Sequence, residues 1–179
     1  DGTYIFSDFN VSIPLNRPLV LTGSSGAGKT TLMRLIAGLT ELDSGTISGV
    51  PERGVFVFQD NRLLPQLSAR DNVRLVLPGY EEGRADNLLD KLDLSAVKNN
   101  KAATLSGGEQ RRLSLARALA PESDILYLDE AFRELDEKHE DEALQLMIEL
   151  ARNKAVILAT HDLSFIDSLK ANVIELKKH

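Results

Sequence analysis

The residue order predicts an α/β fold built on a mainly parallel sheet, and two observations carry this reading. Short, continuously apolar runs recur along the chain and alternate with stretches of helical spacing, the pattern of parallel strands covered on both faces. A glycine-rich loop, "GSSGAGKTT" at residues 23–31, stands between the first buried run and the first helix. At 179 residues, 42% hydrophobic and 27% charged, the chain suits one domain with a real core.

Taken in order, "LVLT" (19–22) reads as a buried strand and "TTLMRLIA" (30–37) as a helix. Leu32, Leu35, Ile36 and Leu39 fall at helical spacing, and Gly38 suits the C-terminal stop. "GVFVFQ" (54–59), "ILYLD" (125–129), "AVILAT" (155–160) and "NVIEL" (172–176) read as further strands, with a long helix around 137–152. "YIFSDFNVSI" and "GTISG" read as antiparallel pieces beside the parallel sheet. Residues 61–104 carry no strong strand signal and, with runs such as "RADNLLDKLDL", read as a helical insertion.

Composition narrows the function classes. No apolar run approaches the roughly 20 residues that cross a bilayer, and no secretory signal pattern is visible. Without cysteine there is neither a disulfide framework nor a thiolate metal site. A net charge of −6 argues against broad electrostatic binding, so no nucleic-acid partner is expected.

Gly23, Gly28, Lys29 and Thr30 match G-x-x-x-x-G-K-[ST], the phosphate-cradling P-loop, in the strand-to-helix context it requires. Residues Gly23, Ser24, Ser25, Gly26, Ala27, Gly28, Lys29, Thr30 and Thr31 are therefore the expected phosphate-binding set. Backbone N–H groups turn inward there, and the following helix adds the positive end of its dipole. Lys29 is a point charge for the β- and γ-phosphates of a nucleotide, and the Thr30 hydroxyl is a ligand for Mg²⁺. The second half of such a site is a carboxylate at the end of another buried strand. "ILYLDE" supplies Asp129 for Mg²⁺ and Glu130 to polarise the attacking water. "LSGGEQRRLSLARAL" (105–119) adds a helix start in which Ser106 and Glu109 form a capping box. Gly107 and Gly108 keep that helix start open to an anion.

This last stretch resembles the signature motif of ABC-transporter ATPases, and the resemblance spans about residues 5–176. It implies a P-loop NTPase (RecA-like) core with a small antiparallel β region and an α-helical subdomain. The whole of 1–179 is then one ABC ATPase domain, its core about 1–60 and 116–179 and its helical subdomain about 61–115. The resemblance implies that Ser106, Gly107, Gly108 and Glu109 meet the γ-phosphate of ATP held by a second ABC ATPase subunit, two ATP molecules being buried head to tail. It implies that Gln59 is the Q-loop residue, touching Mg²⁺ and the attacking water, and that His161 is the switch histidine at the γ-phosphate. The catalytic set is thus Glu130, His161, Gln59 and Lys29, and the metal set Thr30, Gln59 and Asp129. Tyr4 is the nearest candidate for stacking on adenine, and Asp136 holds the D-loop aspartate position.

The sequence departs from the family pattern at Ala131, where proline is usual, and at Arg133 and Glu134, where the D-loop has small residues. The thirty residues from Lys29 to Gln59 suggest a trimmed β arm, and the early stop after the last strand an absent C-terminal regulatory domain. The start at Asp1 suggests a missing native N-terminus. A subunit that energises transport, held peripherally at the cytoplasmic face of a membrane and soluble when isolated, is the favoured reading. Its expected partners are integral-membrane permease subunits. "FQ", "LLP" and "DNV" within residues 51–73 resemble ATPases of nitrate, sulfonate and taurine importers, although Gln66 replaces the usual Trp after "LLP". Leu63, Leu64, Pro65 and Leu67 are the expected docking groove for a permease helix. The alternatives are an ABC-type regulator of a membrane partner, or a nucleotide-binding module with impaired hydrolysis.

Overall fold

A computed structural model describes residues 5–79, 83–150 and 152–177. In chain order the elements are β1 (Leu19–Thr22), α1 (Lys29–Ile36), β2 (Gly54–Val57), α2 (Ala69–Arg74) and α3 (Arg84–Lys91), followed by 3₁₀ turns at Ser95–Val97 and Ala102–Thr104. Then come α4 (Gly107–Leu119), β3 (Ile125–Asp129), α5 (Glu137–Leu150), β4 (Ala155–Ala159), α6 (Ser164–Leu169) and β5 (Asn172–Glu175). The five strands form one sheet in the order β2-β3-β4-β1-β5, and every pairing is parallel.

Alternation along the strands divides the core into two layers, because successive side chains leave opposite faces of a sheet. Leu19, Leu21, Ile125, Tyr127, Ile157 and Ala159 point to the face covered by Leu32 and Met33 of α1. Val20, Val57, Leu126, Leu128, Val156 and Leu158 point to the other, where α4, α5 and α6 pack. Helices α2 and α3 join that second layer through Val73 and Leu89, which cluster with Leu113 of α4, so the helical insertion and the sheet share one apolar cluster.

The expected strands form, and where they end early the backbone has found another partner. Pairing of β2 stops at Val57, because the carbonyls of Phe58 and Gln59 accept hydrogen bonds from Arg111 instead. β4 stops at Ala159, and the hydroxyl of Thr160 accepts the amide of Asp162. The small antiparallel β region is a correction: among the described residues, 5–18 and 40–53 form no strand. Pro14 and Pro18 lack the amide donor a ladder needs, and Gly45 and Gly49 adopt left-handed backbone at φ 99° and 73°. Tyr4 lies outside the described residues.

Candidate functional site

All strands run the same way, so the loops after β1, β2, β3 and β4 open at one edge of the sheet. Register fixes their mutual positions: Asp129 is paired with Ala159, and Val57 with Leu128. The P-loop, Gln59, Asp129–Glu130 and His161 therefore emerge together, as expected where ligands bind open α/β sheets.

β1 delivers the chain to Gly23, whose φ of 134° and lack of a side chain are both required. A Cβ there would lie 2.3 Å from the carbonyl oxygen of Leu176. Gly28, at φ 95°, caps α1 with no side-chain hydrogen bond, and a Cβ would meet the Phe6 ring at 2.7 Å. The loop is otherwise lightly held: Ser24, Ser25 and Gly26 are exposed, while the amide of Ala27 donates to the carbonyl of Ser24. Lys29 is buried at the start of α1, and its Nζ donates back to the carbonyls of Gly23 and Ser24 at 2.8 and 3.3 Å. Thr31 follows on α1, half-buried.

Thr30 and Asp129, 99 residues apart, meet. The Thr30 hydroxyl lies 2.8 and 3.0 Å from the two carboxylate oxygens of the buried Asp129. These are hard oxygen donors of the kind Mg²⁺ selects. Among the described residues no group of three His, Cys, Asp or Glu side chains could cage a metal ion.

Glu130 and His161 also come together. Nε2 of His161 stands 3.3 Å from Oε1 of Glu130, with the glutamate side chain 18% and the histidine 57% exposed. Glu130 adopts φ 50°, a left-handed conformation that a non-glycine residue holds only when its surroundings impose it. Its amide donates to the carbonyl of Ala159 at 2.9 Å, and its carbonyl accepts Nη2 of Arg111 at 2.7 Å. Gln59 lies exposed at the same sheet edge, held through its backbone carbonyl by Arg111 at 3.1 Å.

Arg111 is the residue that the sequence reading missed. It is 2% exposed, and burial pushes its guanidinium below the ordinary arginine value. The signal was its register: Leu115 and Leu119 follow at helical spacing on α4 and are buried, so the arginine had to enter the same interior.

The signature stretch folds as expected. The Ser106 side chain accepts the amide of Glu109, whose carboxylate accepts the amide of Ser106 at 2.7 Å. That backbone contact, with the Ser106 hydroxyl, holds the Glu109 carboxyl below its usual range. A side chain at Gly107 would point into open space. Among the described residues no hydrogen bond joins this helix start to the P-loop. Asp136 caps α5, accepting the amide of His139 and approaching its Nδ1 at 2.7 Å. Leu64 is 40% exposed, with its backbone pinned by the buried Asn72, whereas Leu63 packs against the core.

A strand–loop–helix with a glycine-rich turn and a lysine at the helix start, beside a strand-end aspartate and glutamate, defines a P-loop nucleotide-binding cassette. The chain belongs to the ABC transporter family, whose model matches residues 6–133. It is 42% identical over 175 residues to the aliphatic sulfonates import ATP-binding protein SsuB 2 of Pseudomonas syringae pv. syringae (strain B728a), covering 96% of this chain and 64% of that protein. It is 39% identical over 175 residues to the taurine import ATP-binding protein TauB of Pseudomonas savastanoi pv. phaseolicola (strain 1448A / Race 6), covering 89% and 67%. The chain thus spans slightly under two thirds of the length of its sulfonate-import relatives. Among solved structures it resembles the dimeric bacterial ABC transporter cassette MJ0796, with a TM-score of 0.83 and 30% identity over 97% of this chain and 87% of that one. A second structure of MJ0796, a dimer bound to ADP and Pi, matches with a TM-score of 0.82 and 27% identity over 98% and 89%.

Proposed function

We propose that the chain is the ATP-hydrolysing subunit of an ABC importer, working as a head-to-tail dimer beneath a membrane permease. The observation that carries this is the convergence of Thr30, Asp129, Glu130 and His161 at one sheet edge. ATP binds with its phosphates along residues 23–31, where Lys29 exchanges two carbonyl partners for the β- and γ-phosphate oxygens, a stronger charge-assisted contact. Thr30, Asp129 and Gln59 would hold Mg²⁺, which would supply charge neutralisation at the phosphoryl oxygens. Glu130 accepts a proton from the water that attacks the γ-phosphorus, as the bond to the β-phosphate oxygen breaks and ADP leaves. His161 supports Glu130 from 3.3 Å and turns toward the γ-phosphate. Ser106, Gly107, Gly108 and Glu109 complete the partner subunit's site across the dimer.

The transported class suggested by the relatives' names is small sulfonates, aliphatic sulfonates or taurine. The permease seat is placed at Leu63, Leu64, Pro65 and Leu67, of which Leu63 and Pro65 line a cleft of about 420 Å³ beside Gln59 and Leu64 is 40% exposed. An amphipathic helix fits such a groove by its apolar face. Among the described residues no helix is long and apolar enough to cross a membrane. Peripheral attachment at the cytoplasmic face is suggested by the import ATP-binding proteins to which the chain is similar.

Mixing Lys29→Ala with Ser106→Arg tests the dimer. Each variant alone is expected to be inactive, whereas the mixture recovers part of the ATPase activity through one intact composite site. A mixture as silent as its components, with wild type failing to associate in ATP on a sizing column, rejects the head-to-tail arrangement.

A further inference from the structure

Arg111 spends its guanidinium on backbone carbonyls drawn from two strand ends. Nε donates to Ala131 at 2.7 Å, and Nη2 to Glu130 at 2.7 Å and Asp129 at 3.4 Å. Nη1 donates to Phe58 at 2.9 Å, Gln59 at 3.1 Å and the side-chain oxygen of Asn61 at 3.2 Å. The arginine sits one turn into α4, immediately behind the capping box. A flat fork of donors in fixed directions suits such a clamp, and no carboxylate oxygen need be taken from the site to make it.

The contacts fall where the backbone most needs support. Glu130 is left-handed at φ 50°, a conformation that a non-glycine residue keeps only where its neighbours hold it. Ala159 holds its amide and Arg111 its carbonyl. Removing the guanidinium frees one of the two anchors that orient the glutamate, and at the same time releases the Gln59 segment. Nucleotide binding through residues 23–31 does not touch Arg111.

We propose that Arg111 is a positioning residue for hydrolysis, tying the first turn of the signature helix to the backbone of Glu130 and Gln59, so that the carboxylate faces its water only when that helix is in place. This rests on the ATPase reading above, and wild-type turnover together with its loss in Glu130→Gln tests that reading separately.

The experiment is a double-mutant cycle between Arg111→Gln and Glu130→Gln, with single-turnover hydrolysis and nucleotide titration on each protein. Arg111→Gln is expected to lower kcat about 10- to 100-fold while binding one ATP per chain within threefold of wild-type affinity. Arg111→Lys, which keeps the charge but not the fork, is expected to recover only part of the loss. In the Glu130→Gln background, Arg111→Gln is expected to cost less than threefold further, because a residue acting through Glu130 has nothing left to position. Multiplied losses in the double variant overturn the proposal, as does wild-type kcat in Arg111→Gln. If Arg111→Gln does not fold, Arg111→Lys carries the same cycle. Failure of both to bind one nucleotide per chain makes the arginine purely structural and also overturns it.

Discussion

Two helix starts in this chain, both proposed above to meet phosphate, are built in opposite ways. α1 begins behind Gly28, left-handed and without a side-chain cap, so its first amides are left for a ligand and its charge comes from Lys29. α4 begins behind Ser106 with a complete capping box, so two of its donors are already satisfied by its own side chains. The open start depends on a bound anion to complete it. The closed start holds its shape alone, which suits the proposed role of presenting it to another subunit.

The sharpest test of the shared edge is Glu130→Gln. It keeps shape and loses the base, so hydrolysis is expected to fall roughly 10²- to 10⁴-fold with ATP still bound, and the ATP-loaded dimer should accumulate on a sizing column. Turnover equal to wild type assigns the water to another group. Next in size, Lys29→Ala removes the single cation of the open start, with an expected loss of about 100-fold in ATP affinity by nucleotide titration. Unchanged affinity would mean the loop binds no phosphate.

The closed start gives smaller and different effects. Ser106→Ala should lower stability by about 1 kcal/mol, read from denaturant midpoints, with monomeric ATP binding intact. If ATP affinity falls instead, the two helix starts serve one site in the same chain. The smallest effect is in acid. The Glu109 carboxyl is held below its usual range in the fold, so its contribution is fully present above the ordinary carboxylate value and is lost as pH falls through the lower folded value. Wild type should therefore lose more stability than Glu109→Gln on going from pH 5 to 3. Parallel melting curves across that range reject the box as the source of the shift.

What could be read ahead of the structure was local. The P-loop, the capping box and the strand ends at Asp129 and Thr22 are runs of adjacent residues whose chemistry is complete within a few positions. The meeting of Thr30 with Asp129 followed from motif order, since parallel strands bring their ends to one edge. The antiparallel region was misread because alternating apolar residues outweighed Pro14, Pro18, Gly45 and Gly49, which break a ladder. Arg111 was missed because its partners are carbonyls lying 18 to 53 residues away, and a carbonyl carries no mark in the sequence.

The strand order has one more consequence. β4 lies between β1, which leads into the phosphate loop, and β3, which ends in Asp129 and Glu130. Neighbouring strands stand about 4.8 Å apart, so the two halves of the site are held roughly 10 Å from each other, one strand's width of open ground between them. Thr30 reaches across the floor of that gap to Asp129, and His161 rises from the intervening strand to its rim beside Glu130. The sheet thus acts as a ruler. Any distortion of β4 alters the span between the loop proposed to grip the phosphate and the glutamate proposed to activate the water, so the two cannot drift independently of one another.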